Sequence, residues 1–318
     1  MKNRTKLLLL LSALIIAVIL GISKGSVSIP FVELFQRQNS AILQLRLSRI
    51  VVGILVGAGL GISGVIFQAL LRNPLAEPYV LGVSSGAGLG AVIGMLFGAS
   101  GIPIQICAFL GAVLSIALVY TLAREGSKIP IQSLTLLGVT VAVLFSGIIV
   151  FLVSISSNES MYGIMWWLLG SLAVFNLNAM IFVAFAVIIG SVTAYFYSRE
   201  LNAISLGEEE AVHLGIEVET TKKILFVLSS LITASIVCVA GIIPFVGLII
   251  PHMVRLLVGP NHAILIPASA IVGAMFLILC DIISRSAVPP LEIPIGIITS
   301  LIGGAIFIVL MRQTRKVK

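Results

Sequence analysis

Ionisable side chains are scarce in this sequence, yet five of its twelve acids crowd into "LGEEEAVHLGIEVE" (206–219): Glu208, Glu209, Glu210, Glu217 and Glu219. Chemistry at these carboxylates would need partners that the chain does not supply. There is no G-x-x-x-x-G-K-[ST] phosphate loop, so ATP is not bound in that manner. There is also no H-E-x-x-H pair, no pair of carboxylates inside an apolar segment and no nucleophile beside a base. Cys107, Cys238 and Cys280 each stand alone in apolar surroundings and read as small packing residues. No catalytic, cofactor-binding or metal site is expected. Two readings remain for the acids. They are charge at the first turn of a short helix, which the helix dipole favours, or a surface for a partner.

Two other groups stand out. Arg46, Arg49 and Arg285 border apolar segments, and Asp281 precedes Arg285 by four residues, the spacing of a helical ion pair. The stretch "LRNPLAEPYVLGVSSGAG" (71–88) places Asn73 before Pro74, which disfavours helical backbone, and Pro78 where a new helix can start. Such a turn is either a plain connection or, beside a Gly/Ser-rich helix start with Ser84 and Ser85, a gate where helices approach closely.

The elements that hold these groups are membrane helices. The chain has a mean hydropathy of +1.22, with 59% hydrophobic and 10% charged residues, whereas a soluble domain carries about a quarter charged residues. Apolar stretches of about 20 residues, each able to cross the hydrocarbon core as a helix, recur throughout. The alternating pattern of membrane strands is absent. Ten spans are read at roughly 7–22, 50–71, 79–98, 102–123, 131–155, 177–197, 224–243, 245–258, 263–283 and 293–311. The first follows "KNRTK" but no small-residue cleavage site follows it, so it is read as a retained helix. The eighth, "FVGLIIPHMVRLLV", is too short to cross alone and reads as a broken helix buried against protein. The fold class is therefore an all-α polytopic membrane protein of about ten helices, with residues 1–318 forming one transmembrane domain.

Fourteen of the nineteen lysines and arginines, including Lys2, Arg72, Lys128, Arg255 and Lys318, fall on the side that holds both termini. That bias places both termini in the cytoplasm and the acid cluster in the longest cytoplasmic loop. Gly53, Gly57 and Gly61, and Gly82, Gly86, Gly90, Gly94 and Gly98, recur every fourth residue. Such stripes allow close helix contact in lipid; they are read as packing rather than as substrate contacts. The spans hold almost no ionisable group, which argues against an ion-coupled carrier.

"LRLSRIVVGILVGAGLGISGVIFQALLRNPLAEPYVLGVSSGAG", followed in order by "SLGEEEAVHLGI", "GIIPFVGLIIPHMVRLLVGPNH" and "EIPIGIITSLIGGAIFI", resembles the permease family of ABC importers for iron chelates (ferric siderophores and heme) and vitamin B12. The match runs from about residue 43 to the end. The resemblance implies a vitamin B12 importer permease-like fold and a pair of subunits, homo- or heterodimeric, around a central pathway. It also implies two separate ATPase subunits, an extracytoplasmic binding protein and a lipid bilayer as partners, with no nucleic acid. On this reading the chain is a transport subunit and not an enzyme.

By the same resemblance, "NAISLGEEEAVHLGI" (202–216) matches two short coupling helices that seat in the ATPase. Leu206, Gly207, Glu208, Glu209, Glu210, His213, Leu214 and Gly215 are the implied contacts. Arg46, Arg49 and Arg285 match the positions that dock the binding protein, although Ser48 stands where the family has proline. Asn73, Pro74 and Leu75 match the inner constriction, with Ser84 and Ser85 beside the pathway. "MYGIMWWLLGSLA" (161–173) resembles the outer connection after the fifth span, with Trp166 and Trp167 in an interfacial aromatic belt. The expected cargo is an iron chelate, a ferric siderophore before heme. His213, His252 and His262 all fall near the cytoplasmic side and offer no heme ligand at the outer mouth. Vitamin B12 is the alternative within the family, and an ion-coupled secondary carrier the alternative outside it.

Overall fold

A computed structural model describes residues 2–27, 29–30, 32–126, 129–174 and 176–316. Of the basic residues counted above, Lys128 and Lys318 lie outside the described residues. The described chain carries thirteen α-helices: α1 (Lys2–Ser23), α2 (Ser40–Leu70), α3 (Val83–Leu96), α4 (Ile102–Ala123), α5 (Ile131–Ser154), α6 (Asn158–Leu168), α7 (Leu177–Phe196), α8 (Ser198–Leu206), α9 (Glu208–His213), α10 (Val218–Ala240), α11 (Val246–Val258), α12 (His262–Ser286) and α13 (Ile295–Lys316). Seven are long and apolar enough to cross a membrane, and α3, α11 and α13 are shorter apolar helices. Together they account for the ten expected spans.

α2 is the most buried of the long apolar helices: its apolar stretch is 78% buried, against 67% for α10 and 56% for α12, while α1 and α5 are only 11% and 17% buried. Lipid gives apolar helices no reason to associate through water exclusion, so contact depends on close backbone approach. Gly57 of α2 meets the Gly273 carbonyl of α12, and Gly61 faces the Ser269 carbonyl. Gly90 of α3 likewise rests on the Cys107 carbonyl of α4. The glycine stripes are therefore helix–helix seams, and Cys107 and Cys280 lie among packed helices as free thiols.

Two irregular segments lie between the helices. Residues 241–245 leave helical geometry between α10 and α11, and 169–174 do so after α6. Their backbone groups are satisfied within the protein, as apolar surroundings require. Ser171 N–H donates to Ala240 O at 2.8 Å, and Gly296 N–H donates to Leu169 O at 3.0 Å. This is the broken geometry expected around the eighth span. Two features depart from the expected boundaries. α2 starts ten residues earlier than 50, so Ser48 lies inside a helix rather than before one. The connection after α5, expected on the outer side, is itself helical, α6, capped by the Ser157 hydroxyl, which accepts from Ser160 N–H.

Candidate functional site

The turn at 71–77 is built by its own side chains. Asn73 Oδ1 accepts the Leu75 N–H at 2.9 Å, and Asn73 O accepts the Ala76 N–H at 3.0 Å. This is an Asx-turn closed around Pro74. Arg72, at φ 45, occupies the left-handed region that non-glycine residues seldom adopt. Asn73, Pro74 and Leu75 are exposed at the apex of the turn. Ser85, in contrast, is buried and its hydroxyl donates back to Gly82 O at 3.1 Å, while Ser84 is half-buried. Of the two serines, only Ser84 has surface to offer a pathway.

Two residues that the sequence reading passed over fix this turn to the α10–α11 break. Glu77 Oε1 accepts the Phe245 N–H at 2.7 Å, and the Tyr79 hydroxyl accepts the Ile243 N–H at 3.3 Å. Phe245 is held at φ 70, and its side chain packs against Gly303 of α13. Burial raises the Glu77 carboxyl above the usual carboxylate range, and the Phe245 N–H acts in the opposite sense. One turn thus clamps α11 and, through Phe245, touches α13. Glu77→Ala leaves the Phe245 N–H without its acceptor and is expected to cost about 1–3 kcal/mol. Glu77→Gln keeps a carbonyl acceptor and should lose less. Thermal unfolding midpoints in detergent check the order; equal midpoints for both variants would contradict it.

α8 and α9 form the expected pair of short helices, joined at Gly207, which is buried against Glu210. Leu206, Glu209, Glu210, Val212, His213, Leu214 and Gly215 are exposed, with Leu206 at 73% and Leu214 at 62%. Glu208 is different. It pairs with Lys222 Nζ at 3.2 Å, and the same ammonium pairs with Glu219 at 2.6 Å and donates to Ile129 O at 3.3 Å. Glu219 also accepts the Ile129 N–H at 3.1 Å. Lys222 therefore ties α9, α10 and the strand of chain before α5 into one knot. Two of the five clustered acids hold the fold, while Glu209, Glu210 and Glu217 face outward. Arg72 and Glu208–Glu210 also line a cavity of about 930 Å³ between α9 and the start of α5.

At the other end of α2 the three arginines point inward. Arg49 Nε donates to Asp281 at 3.0 Å and Arg49 Nη1 to Glu292 at 2.7 Å. Arg285 Nε reaches the second Asp281 oxygen at 2.8 Å, the i→i+4 pair anticipated from spacing. Arg46 donates to Ile22 O at 2.7 Å and Val27 O at 2.7 Å. All three are buried, and Glu292 is the half-exposed member of the network. These guanidinium groups tie α1, α2 and α12 together. The reason is desolvation: at this depth a cation needs an adjacent anion or carbonyl. The Trp166 and Tyr162 rings of α6 lie tilted at 49° with centroids 5.9 Å apart, and the Trp167 backbone carbonyl rests against Gly241.

Comparison with known proteins places these features in a wider setting. A model of the FecCD transport family matches residues 12–313. The chain is similar to the cobalamin import system permease protein BtuC of Halobacterium salinarum, at 42% identity over 85% of the chain and 72% of the relative. It is also similar to the Fe(3+)-citrate import system permease protein YfmD of Bacillus subtilis, at 32% identity over 100% and 98% of the two chains. Among solved structures it matches one described as an inward-facing conformation of a metal-chelate type ABC transporter. That match has a TM-score of 0.88 and 35% identity, covering 98% of this chain and 99% of the other.

Proposed function

The chain belongs to the FecCD transport family, and from that premise we propose that it is the permease through which an ATP-driven importer takes up a ferric siderophore. It is a multi-pass membrane protein of the ABC importer permease type. The observation that carries the finer reading is the pairing of an exposed two-helix projection, α8–α9, with a clamped turn at Asn73–Leu75. The first is a handle for an ATPase and the second a gate that the handle can move. No ATP-binding loop accompanies them, so the energy source is a separate pair of ATPase subunits on the cytoplasmic face, the side of both termini. A second permease subunit completes the pathway, and α5, only 17% buried, offers a broad apolar flank. Such a chain acts as a conformational switch, because partners that bind its states unequally shift its populations.

The contacts follow the geometry. The ATPase seats on Leu206, Glu209, Glu210, His213, Leu214 and Gly215, with Gly207 and Glu208 shaping the projection. The binding protein docks over the outer ends of α2 and α12, where Arg46, Arg49 and Arg285 position the surface and Glu292 reaches it. Replacing Glu209 and Glu210 together with alanine removes two rim charges and is expected to lower co-purified ATPase about fivefold. Full recovery of ATPase with the double variant would remove these acids from the interface.

Cargo identity is tested by labelled uptake in cells lacking this permease, with and without it restored, using ferric siderophores, heme and vitamin B12 in parallel. Rescue of a ferric siderophore is expected. Rescue of heme or vitamin B12 alone would move the assignment to that cargo, and the named relatives make vitamin B12 the stronger rival.

A further inference from the structure

Three helix interruptions touch one another in this fold. α10 ends at Ala240, α6 ends at Leu168, and α13 begins at Ile295. Gly241, at φ 71, and Gly170, at φ 73, adopt the left-handed backbone that glycine tolerates. A Cβ on Gly241 would meet the Trp167 carbonyl, one on Gly170 the Ile242 carbonyl, and one on Gly296 the Leu169 carbonyl. Backbone therefore rests on backbone, and no side chain stands between that could rotate aside. Two hydrogen bonds fasten the same segments: Ser171 N–H to Ala240 O at 2.8 Å and Gly296 N–H to Leu169 O at 3.0 Å. α6 has little else to hold it, since Ile164 is its one buried residue.

Residues 77–79 are laid against this junction in antiparallel register, Glu77 opposite Phe245 and Tyr79 opposite Ile243. Pro244 has no N–H, and the donors on either side of it are both taken here: Phe245 N–H by Glu77 at 2.7 Å and Ile243 N–H by the Tyr79 hydroxyl at 3.3 Å. The Pro78 ring packs where Gly247 of α11 has no side chain. The Glu77 bond is the shorter of the two, and it lies at the N-terminus of α11, where Phe245 is the N-cap residue and the helix dipole favours a carboxylate. Phe245 sits at φ 70, a conformation that a non-glycine residue keeps only where its surroundings over-determine it.

We propose that Glu77 is a positioning residue for transport, a role that rests on the reading of Asn73–Leu75 as a gate. It joins that turn and the junction into one body, so that displacement of the turn carries α11 and α6 with it. The gate is then set by α6 as well as by the two-helix projection. A ligand or partner that shifts α6 shifts the turn by the same coupling.

The first test is amide hydrogen exchange on the full-length chain in neutral detergent, read by mass spectrometry. Glu77→Ala should speed exchange about tenfold at 243–248, one buried hydrogen bond lost. The same factor is expected at 169–174 and 296–297, because a cooperative unit opens together, while α4 keeps the rate of the unaltered chain. Glu77→Gln, which keeps an acceptor oxygen, should restore most of the protection. Tyr79→Phe removes only the longer bond; it should give the same pattern at smaller amplitude, and it decides the matter if Glu77→Ala does not fold. Faster exchange confined to 243–248, or equal acceleration along the whole chain, would overturn the proposal. The second test uses vesicles holding the permease with its partner ATPase and loaded binding protein. Cargo moved per ATP hydrolysed should fall about tenfold in Glu77→Ala and recover in Glu77→Gln. An unchanged ratio in Glu77→Ala would remove the positioning role. ATP-independent uptake by the unaltered chain would instead overturn the importer reading, and the exchange pattern would still decide whether the turn and the junction are one body.

Discussion

Asp281→Ala is expected to destabilise the folded permease by about 3–5 kcal/mol, the cost of leaving buried charges without their partner. Asp281 is 2% exposed and faces two guanidiniums, Arg49 at 3.0 Å and Arg285 at 2.8 Å. Glu292 can compensate Arg49, which it already meets at 2.7 Å, but no second described acid pairs with Arg285. The loss should therefore exceed that of Arg285→Met, which leaves Asp281 still paired with Arg49. Asp281→Asn, which keeps an acceptor oxygen, should fall between unaltered protein and alanine. Thermal unfolding in detergent orders the three variants. A midpoint unchanged in Asp281→Ala would mean that the arginines find other counter-charges, and that α1, α2 and α12 are not fastened in this way.

The second large effect is expected at the α2–α12 seam. A Cβ at Gly57 would fall inside contact distance of the Gly273 carbonyl, and a backbone carbonyl cannot swing aside as a side chain does. Gly57→Val should force the helices apart and cost about 1–3 kcal/mol or more from overpacking, with Gly57→Ala smaller in the same direction. Gly147 of α5 is the control, because nothing lies within 4 Å of the Cβ it would acquire. Gly147→Ala should be neutral or should stabilise by up to about 1 kcal/mol through helix propensity. Equal behaviour of the two alanine variants would show that the stripe on α2 is not a packing seam.

Much of this arrangement was legible because lipid simplifies the code. Helix α4 runs over 102–123, as hydropathy alone indicates, and the stripes at Gly57 and Gly90 became contacts because close approach is the main route to helix association there. The Asp281–Arg285 pair followed from a spacing of four. What escaped were groups whose partners lie far away in sequence. The second span was read from 50, so Arg46, Ser48 and Arg49 fell before it, whereas all three lie inside α2. Arg49 finds Asp281 and Glu292 only after folding, 232 and 243 residues along the chain. Glu77 and Lys222 were hidden in the same way: one clamps Phe245, 168 residues away, and the other gathers Glu208, Glu219 and Ile129. Five clustered acids look alike in a sequence, but only the structure separates Glu208 and Glu219, which hold the fold, from Glu209 and Glu210, which face out.

Movement of cargo through this chain is expected to depend on a separate ATPase. Vesicles are reconstituted with the permease, its partner ATPase subunits and the cargo-loaded binding protein, and uptake of labelled cargo is followed with ATP, without ATP, and with an ATPase that binds but does not hydrolyse it. Sustained accumulation only with hydrolysable ATP is the predicted result. Accumulation driven by a proton or sodium gradient with the ATPase left out would contradict it.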